Sequence, residues 1–246
     1  MTTHRFPGPV WAVVPARGGS KSIPFKNLVQ VAGRSLLDYG VRAAQASGVC
    51  DRIVGSTDDE RISRRFVELG VDVDMRPAAL ATDDAPVLDV VRDLVGRQGP
   101  RFGKPWLVVL VQPTSPFLLP EHVVGLVSAI AARPDAKSGQ TIAPCPHNHH
   151  AWNQREVEDG CVRFVHQAER EKAYNKQSKP TRWVFGNLLA TTVAAIEGGE
   201  TLFASPSVAL PIDWPYDFDL DTATDVRLAE AMMAAGLLTL PHLAAE

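Results

Sequence analysis

Short apolar runs recur through the first 145 residues, each followed by a longer stretch of helical period, and this alternation leaves the chain few folds to choose from. The runs are Val10–Pro15, Arg52–Ser56, Val71–Met75, Trp106–Val111 and Gly139–Ala143. Helical patterns at Ser35–Ser47, Asp59–Leu69, Pro86–Arg97 and Pro120–Ala132 separate them, with Ser35 and Asp59 suited to N-caps and Pro86 and Pro120 to first-turn positions. Strands joined through helices predict a largely parallel sheet sandwiched in three α/β/α layers. Ligands of such a sheet sit beyond the carboxyl ends of its strands.

The alternation stops at Pro144-Cys145-Pro146-His147-Asn148-His149-His150, where polar residues take over until about Lys179. Residues 144–181 therefore read as an inserted ribbon or arm within a single domain spanning 1–246, not as a second core. Strands are expected again at Arg182–Ala190 and Ser207–Leu210, then a closing helix at Asp221–Ala235, with Met1–Gly8 and Pro241–Glu246 frayed. A net charge of −3 argues against a nucleic-acid coat or a membrane-surface binder, and no apolar run approaches membrane-spanning length. Three cysteines at irregular spacing, with no apolar leader, point to a reducing, cytoplasmic setting.

The first strand runs into Ala16-Arg17-Gly18-Gly19-Ser20-Lys21-Ser22-Ile23-Pro24-Phe25-Lys26-Asn27. Two glycines let backbone N–H groups approach a ligand, and Arg17, Lys21 and Lys26 place three cations within ten residues, the composition of a polyphosphate cradle. Neither the G-x-x-x-x-G-K-[ST] nor the G-x-G-x-x-G pattern is present, and a plain βα turn is the competing reading. Later strand ends carry further polar groups. Ser56-Thr57-Asp58-Asp59 suits helix capping best, Arg76 is either a surface group or a nucleotide contact, and Gln112-Pro113-Thr114-Ser115-Pro116 is a proline-stiffened polar tip.

Near the C-terminus, Asp217-Phe218-Asp219-Leu220-Asp221-Thr222 spaces three carboxylates so that an extended backbone points them one way. Crowded carboxylates need a cation, and Mg²⁺ takes one or two of them together with substrate phosphates; the competing role is a helix cap from Asp221 or Thr222. The cluster Cys145, His147, His149, His150 and Cys161 lacks zinc-site spacing, and no G-x-S-x-G elbow supports a serine hydrolase.

Taken in order, Pro15-Ala16-Arg17-Gly18-Gly19-Ser20-Lys21 with Lys26-Asn27, Ser56-Thr57-Asp58, Arg76-Pro77 with Leu80-Ala81-Thr82-Asp83, and Gln112-Pro113-Thr114-Ser115-Pro116 resemble the CMP-sialic acid synthetase type of cytidylyltransferase over nearly the whole chain. The resemblance implies a Rossmann-like nucleotide-diphospho-sugar transferase fold with a mixed sheet. It also implies CTP and Mg²⁺ as co-reactants, pyrophosphate as product, and a homodimer whose inserted arm reaches the partner's site. Carried over by position, Arg17, Lys21 and Lys26 are the catalytic cations, and Ala16, Arg17, Gly18, Asn27, Arg76 and Thr82 surround the nucleotide. Gln112, Thr114 and Ser115, joined by His147 and Arg182, face a small acidic acceptor, while Asp219 and Asp221 hold the metal, with Thr222 and Asp225 completing the family's closing pattern. The chain departs from that pattern at Phe117-Leu118-Leu119, Asn153 and Phe185-Gly186-Asn187, all expected on the acceptor side. The acceptor is accordingly expected to be a sialic-type sugar acid or a phosphonate such as phosphonoformate. A CTP-sensing subunit without catalysis, or a related transferase using another nucleotide, are the alternatives.

Overall fold

The first apolar run forms β1 (Val10–Pro15), and its alternation sets the layers. Val10, Ala12 and Val14 enter one core and Trp11 and Val13 the other, none of them more than 1% exposed. A strand wetted on neither face must lie at the centre of a covered sheet. In the computed structural model, which describes residues 6–244, that is its place.

After β1 come a two-residue pair, β2 (Gln30–Val31) and β3 (Arg34–Ser35), then α1 (Leu36–Ser47), β4 (Arg52–Thr57), α2 (Glu60–Glu68), β5 (Asp72–Met75), α3 (Val87–Phe102), β6 (Leu107–Val111), α4 (Pro120–Ala131) and β7 (Ser138–Pro144). The inserted region carries β8 (Arg155–Glu158), β9 (Cys161–Phe164) and α5 (Gln167–Lys172). The chain closes with β10 (Trp183–Thr192), α6 (Val193–Glu197), β11 (Ser207–Pro211) and α7 (Ala223–Ala234). Seven strands form one sheet in the order β11-β7-β10-β6-β1-β4-β5, with β10 antiparallel to both neighbours and the other pairings parallel. Helices α1, α2 and α4 cover one face, and α3 and α6 the other. The expected three-layer mixed α/β fold is present, and α7 adds a third core with Leu36, Tyr39 and Phe117.

Local details correct several expectations. Asp59 caps α2, accepting from Arg61 N at 2.8 Å and Ile62 N at 3.3 Å, but Ser35 turns its hydroxyl onto the Asp38 carboxylate and caps nothing. Helix α3 runs past Arg97 to Phe102, with Pro100 inside its last turn, and Pro86 sits one position early, at the N-cap. At the C-terminus, Pro241–Leu243 is a 3-10 turn, not a frayed end: the Leu243 carbonyl accepts from Arg34 at 2.8 Å. Of the expected frayed N-terminus, Phe6 packs against the core, while residues 1–5 and 245–246 lie outside the described residues. In the inserted region, Asp159 and Gly160 both take positive φ and close the β8–β9 hairpin, the turn that an Asp-Gly pair favours.

One buried polar node ties the sheet to the C-terminal acidic run. Between Phe185 and Leu189, β10 slips register against β7, and the slip holds Asn187, which is wholly buried. Its Nδ2 donates to the Tyr216 carbonyl at 2.8 Å and to His122 Nδ1 at 3.0 Å, and its Oδ1 accepts from the Thr141 hydroxyl at 3.1 Å. Burial pushes the His122 pKa down to about 4, so Nδ1 stays free to accept. Asn187→Leu strands these partners in a dry core, so it is expected to lower unfolding free energy by about 2–3 kcal/mol. Urea unfolding with an unchanged slope checks this.

Candidate active site

Beyond the carboxyl ends of β1 and β6 a cavity of about 570 Å³ opens. The loop after β1 contributes Arg17, Lys21, Lys26 and Asn27; the segment after β5 contributes Arg76, Thr82 and Asp83; the tip after β6 contributes Gln112 and Thr114; and Asp221 comes from the run before α7. Four segments remote in sequence therefore meet where an α/β sheet places its ligands.

The basic loop is held by its own side chains and by β4. Asn27 Nδ2 donates to the Arg17 carbonyl at 3.0 Å, and the Gly18 N–H donates to Asp58 Oδ1 at 3.0 Å. A Cβ on Gly18 would stand 2.8 Å from the Asp59 Cβ, so only glycine lets the loop lie this close to the start of α2. Phe25 takes a left-handed φ of 51°, with the Arg61 guanidinium 3.6 Å over its ring, and the next residue turns inward. That residue is Lys26, 8% exposed, whose Nζ meets Asp221 Oδ1 at 2.7 Å. Arg17 and Lys21 both reach Asp83, at 2.5 and 2.6 Å, and the two cations, Lys21 foremost, hold that carboxyl below the usual carboxylate range. Arg76 is anchored by its donations to the Ser56 and Leu80 carbonyls, while its Nε is buried without a partner.

The three carboxylates expected to act as a tripod divide. Asp217 lies in a turn and does not line the cavity. Asp219 does not line the cavity either; it is exposed beside it, next to the lining residue Thr114, and burial by the surrounding protein raises its pKa, with the Thr114 hydroxyl opposing the rise and the Asp221 charge adding to it. The helix cap falls to Thr222, not Asp221: Thr222 accepts from Asp225 N, and Asp225 Oδ2 accepts from Thr222 N at 2.7 Å. Asp225 is thereby committed to the cap. Two neighbouring carboxylates, Asp219 and Asp221, form a donor set that suits an ion such as Mg²⁺, which draws its remaining ligands from phosphate and water. Among the described residues no three of His, Cys, Asp and Glu converge as a metal set.

Of the residues expected around a nucleotide or acceptor, Arg17, Lys21, Lys26, Asn27, Arg76, Thr82, Gln112, Thr114 and Asp221 line one cavity. Ala16 and Ser115 are buried in the backbone framework beside it, Ala16 N donating to Ser56 O and Ser115 N to Gln112 O, and Gly18 sits behind the loop. His147 and Arg182 do not line this chain's cavity; both are exposed on the inserted region and its return strand. Two of the three departures, at Phe117-Leu118-Leu119 and Phe185-Gly186-Asn187, correct the acceptor-side expectation. Phe117 and Leu118 are core residues, Phe117 stacked on Phe218 at 5.4 Å, and Asn187 is the buried node. Asn153 gathers the inserted region: its Nδ2 donates to the His147 carbonyl, its carbonyl accepts from Arg155 at 2.8 Å, and its Oδ1 accepts from Lys179 Nζ at 2.5 Å. Burial first, and then the charges of Lys179, Lys176 and Arg170, lower the His147 pKa, while burial with Arg170 and Arg155 lowers that of Lys179.

Asp58 and Asp83 were not legible as site residues. Both are carboxylates facing a loop read as anion-binding, the opposite of what charge matching suggests.

Comparison with known proteins places this geometry in context. The model of the family described as cytidylyltransferase matches residues 11–219. A CMP-N,N'-diacetyllegionaminic acid synthase of Legionella pneumophila is 29% identical over 91% of this chain and 96% of its own length. N-acylneuraminate cytidylyltransferase A of Danio rerio is 33% identical over 61% of this chain, a match spanning a third of the fish protein. A solved CMP:2-keto-3-deoxy-manno-octonic acid synthetase in complex with CTP superposes with a TM-score of 0.70 at 15% identity, covering 92% of this chain and 99% of that one, a likeness of fold.

Proposed function

The chain belongs to the cytidylyltransferase family, a family of nucleotidyltransferase enzymes, and from that premise we propose that it transfers CMP from CTP to an acidic acceptor with release of pyrophosphate. The observation that carries the reading is the convergence of Arg17, Lys21 and Lys26 on one open cavity that Asp221 also lines, with Asp219 adjacent through Thr114. Such a cavity favours a polyanion that arrives with its own divalent cation.

In this reading an acceptor oxygen attacks the α-phosphorus of CTP, the bond from that phosphorus to the bridging oxygen breaks, and the acceptor proton passes to solvent. Lys26, fixed by burial, and Arg17 and Lys21, more exposed, balance charge on the departing pyrophosphate. Asp219 and Asp221 would hold Mg²⁺, which neutralises phosphate oxygens when bound. Thr114 orients the Asp219 carboxyl, and Gln112 offers an amide to the acceptor. No protein nucleophile is needed, since positioning and electrostatics supply the rate.

The acceptor is a sugar acid in this proposal, the class that the names of the similar proteins share, and a phosphonate is the smaller alternative. The cations gathered at Asn153 lie on the inserted region, 144–181, and not in this chain's own cavity, so they would serve the acceptor of a partner in a homodimer working in the cytoplasm. Val157 and Val162, opposite each other across the hairpin and 71% and 63% exposed, give that region an apolar face to cover.

The test is pyrophosphate release on incubation of the full chain with Mg²⁺, each of CTP, UTP, GTP and ATP, and a panel of sugar acids and phosphonates. Release is expected with CTP and at least one acid, and only when the metal is present. Binding of CTP with no release from any acid would instead identify a sensor.

A further inference from the structure

Asp83 is the one carboxylate lining the cavity on the side of the loop cations Arg17 and Lys21, and it holds both. Arg17 and Lys21 lie on the loop after β1, Asp83 on the segment between β5 and α3, so the two ion pairs join two separate segments of the cavity lining. That segment is fixed at each end. Arg76 anchors its start to the Ser56 and Leu80 carbonyls, and α3 begins at Val87. Between those points the chain forms only short turns, Leu80 N to Pro77 O and Ala85 N to Thr82 O, and Asp83 is exposed.

An anion placed against Arg17 and Lys21 must take the positions the Asp83 oxygens hold. A carboxylate left beside an incoming polyphosphate repels it, so Asp83 must be displaced outward before both cations can face phosphate. Asp83 lies at the surface with its side chain 37% exposed, so water can receive it, and surface ion pairs of this kind are weak enough to be exchanged. Lys26 and Asp221 repeat the arrangement deeper in the cavity, where a metal can take over the carboxylate. Asp83 has no such successor.

We propose that Asp83 is an internal stand-in for phosphate, a latch that neutralises Arg17 and Lys21 while the cavity is empty, yields to the polyphosphate of the substrate, and reclaims both cations as pyrophosphate leaves. The inference rests on the reading that these two cations receive phosphate. It assigns Asp83 a role in ligand exchange, as a residue that weakens polyanion binding and speeds release, and none in the bond-making step.

The experiment measures inorganic pyrophosphate binding by calorimetry on the full chain, for wild type, Asp83→Asn and Asp83→Ser, with folding of each checked by thermal melting. Both variants are expected to bind pyrophosphate roughly three- to tenfold more tightly, the range set by losing two exposed ion pairs. In the double variant with Arg17→Ala the gain is expected to shrink, because one of the cations set free is missing. Equal or weaker binding in both variants, with measurable binding by wild type, overturns the latch and leaves the cytidylyltransferase reading standing. No pyrophosphate or CTP binding by any of the proteins overturns that reading, and the latch with it.

Discussion

Lys26→Ala is expected to lower kcat/KM for CTP by about 10²- to 10³-fold, the loss seen when one preorganised group aimed at developing charge is removed. Lys26 is set apart from Arg17 and Lys21 by position. Its side chain is 10% exposed, whereas those of Arg17 and Lys21 are 35% and 84% exposed. A charge held in a low-dielectric setting acts more strongly on phosphate than one screened by water. The fold should survive the change. Removing the ammonium relieves its own desolvation, and Asp221, 73% exposed, regains water in exchange. Steady-state pyrophosphate release at varied CTP and at varied acceptor separates the effects: the acceptor KM is expected to move little. A thermal midpoint several degrees below wild type, or a loss confined to the acceptor, would count against this role.

The burial of Lys26 was not legible from the sequence, and the reason is physical. Its neighbours Pro24 and Phe25 predict a turn, but only the left-handed backbone of Phe25, under the Arg61 guanidinium, turns the lysine inward. Arg61 belongs to α2, so the contact is tertiary. By contrast, β1 and β6 were plain in the chain, because strands covered on both faces must be apolar throughout, and no polar pattern competes. Asp59 was legible for a related reason, since an N-cap is satisfied by backbone N–H groups within three residues. The residues misplaced in sequence reasoning answer to distant partners: Asn187 to Tyr216 and His122, Phe117 to Phe218, and Asn153 to Lys179. Reading Phe117 and Asn187 as acceptor-side positions failed because a gap in a motif shows what is missing, not what packing the new residue has joined. The inserted region shows the converse. Its polar alternation told that it was no core, and the Asp159-Gly160 turn follows from the local sequence, while its ionic surroundings do not.

Asp219→Asn is expected to reduce turnover by ~10²-fold or more while leaving the fold as stable as before, and the pKa of Asp219 explains why the two effects part. Protein crowding holds this carboxyl above its usual range, with Asp221 adding repulsion and Lys26 opposing it. The native state therefore keeps a proton that the unfolded chain has already released, across the window from the ordinary aspartate pKa of about 3.9 up to the raised native value. In that window the native state binds more protons, so stability falls as pH rises and stays lower above it. At neutral pH the charged Asp219 weighs against folding. Replacing it by the neutral amide is then expected to leave the thermal midpoint at pH 7 equal or slightly higher without metal, and the two proteins should converge as the pH falls. The same carboxyl must be ionised to hold a cation. The acid limb of wild-type activity is thus expected above the pH of an unperturbed aspartate, and saturating Mg²⁺ should move it down, because metal and proton compete for one group. Mg²⁺ with CTP should raise the melting temperature of wild type more than that of the variant. Full turnover in Asp219→Asn would remove Asp219 from the site, and a large drop in melting temperature would show that the fold needs its charge. A loss of turnover with a preserved melting temperature would mean that Asp219 is kept for what it binds, at some expense to the fold around it.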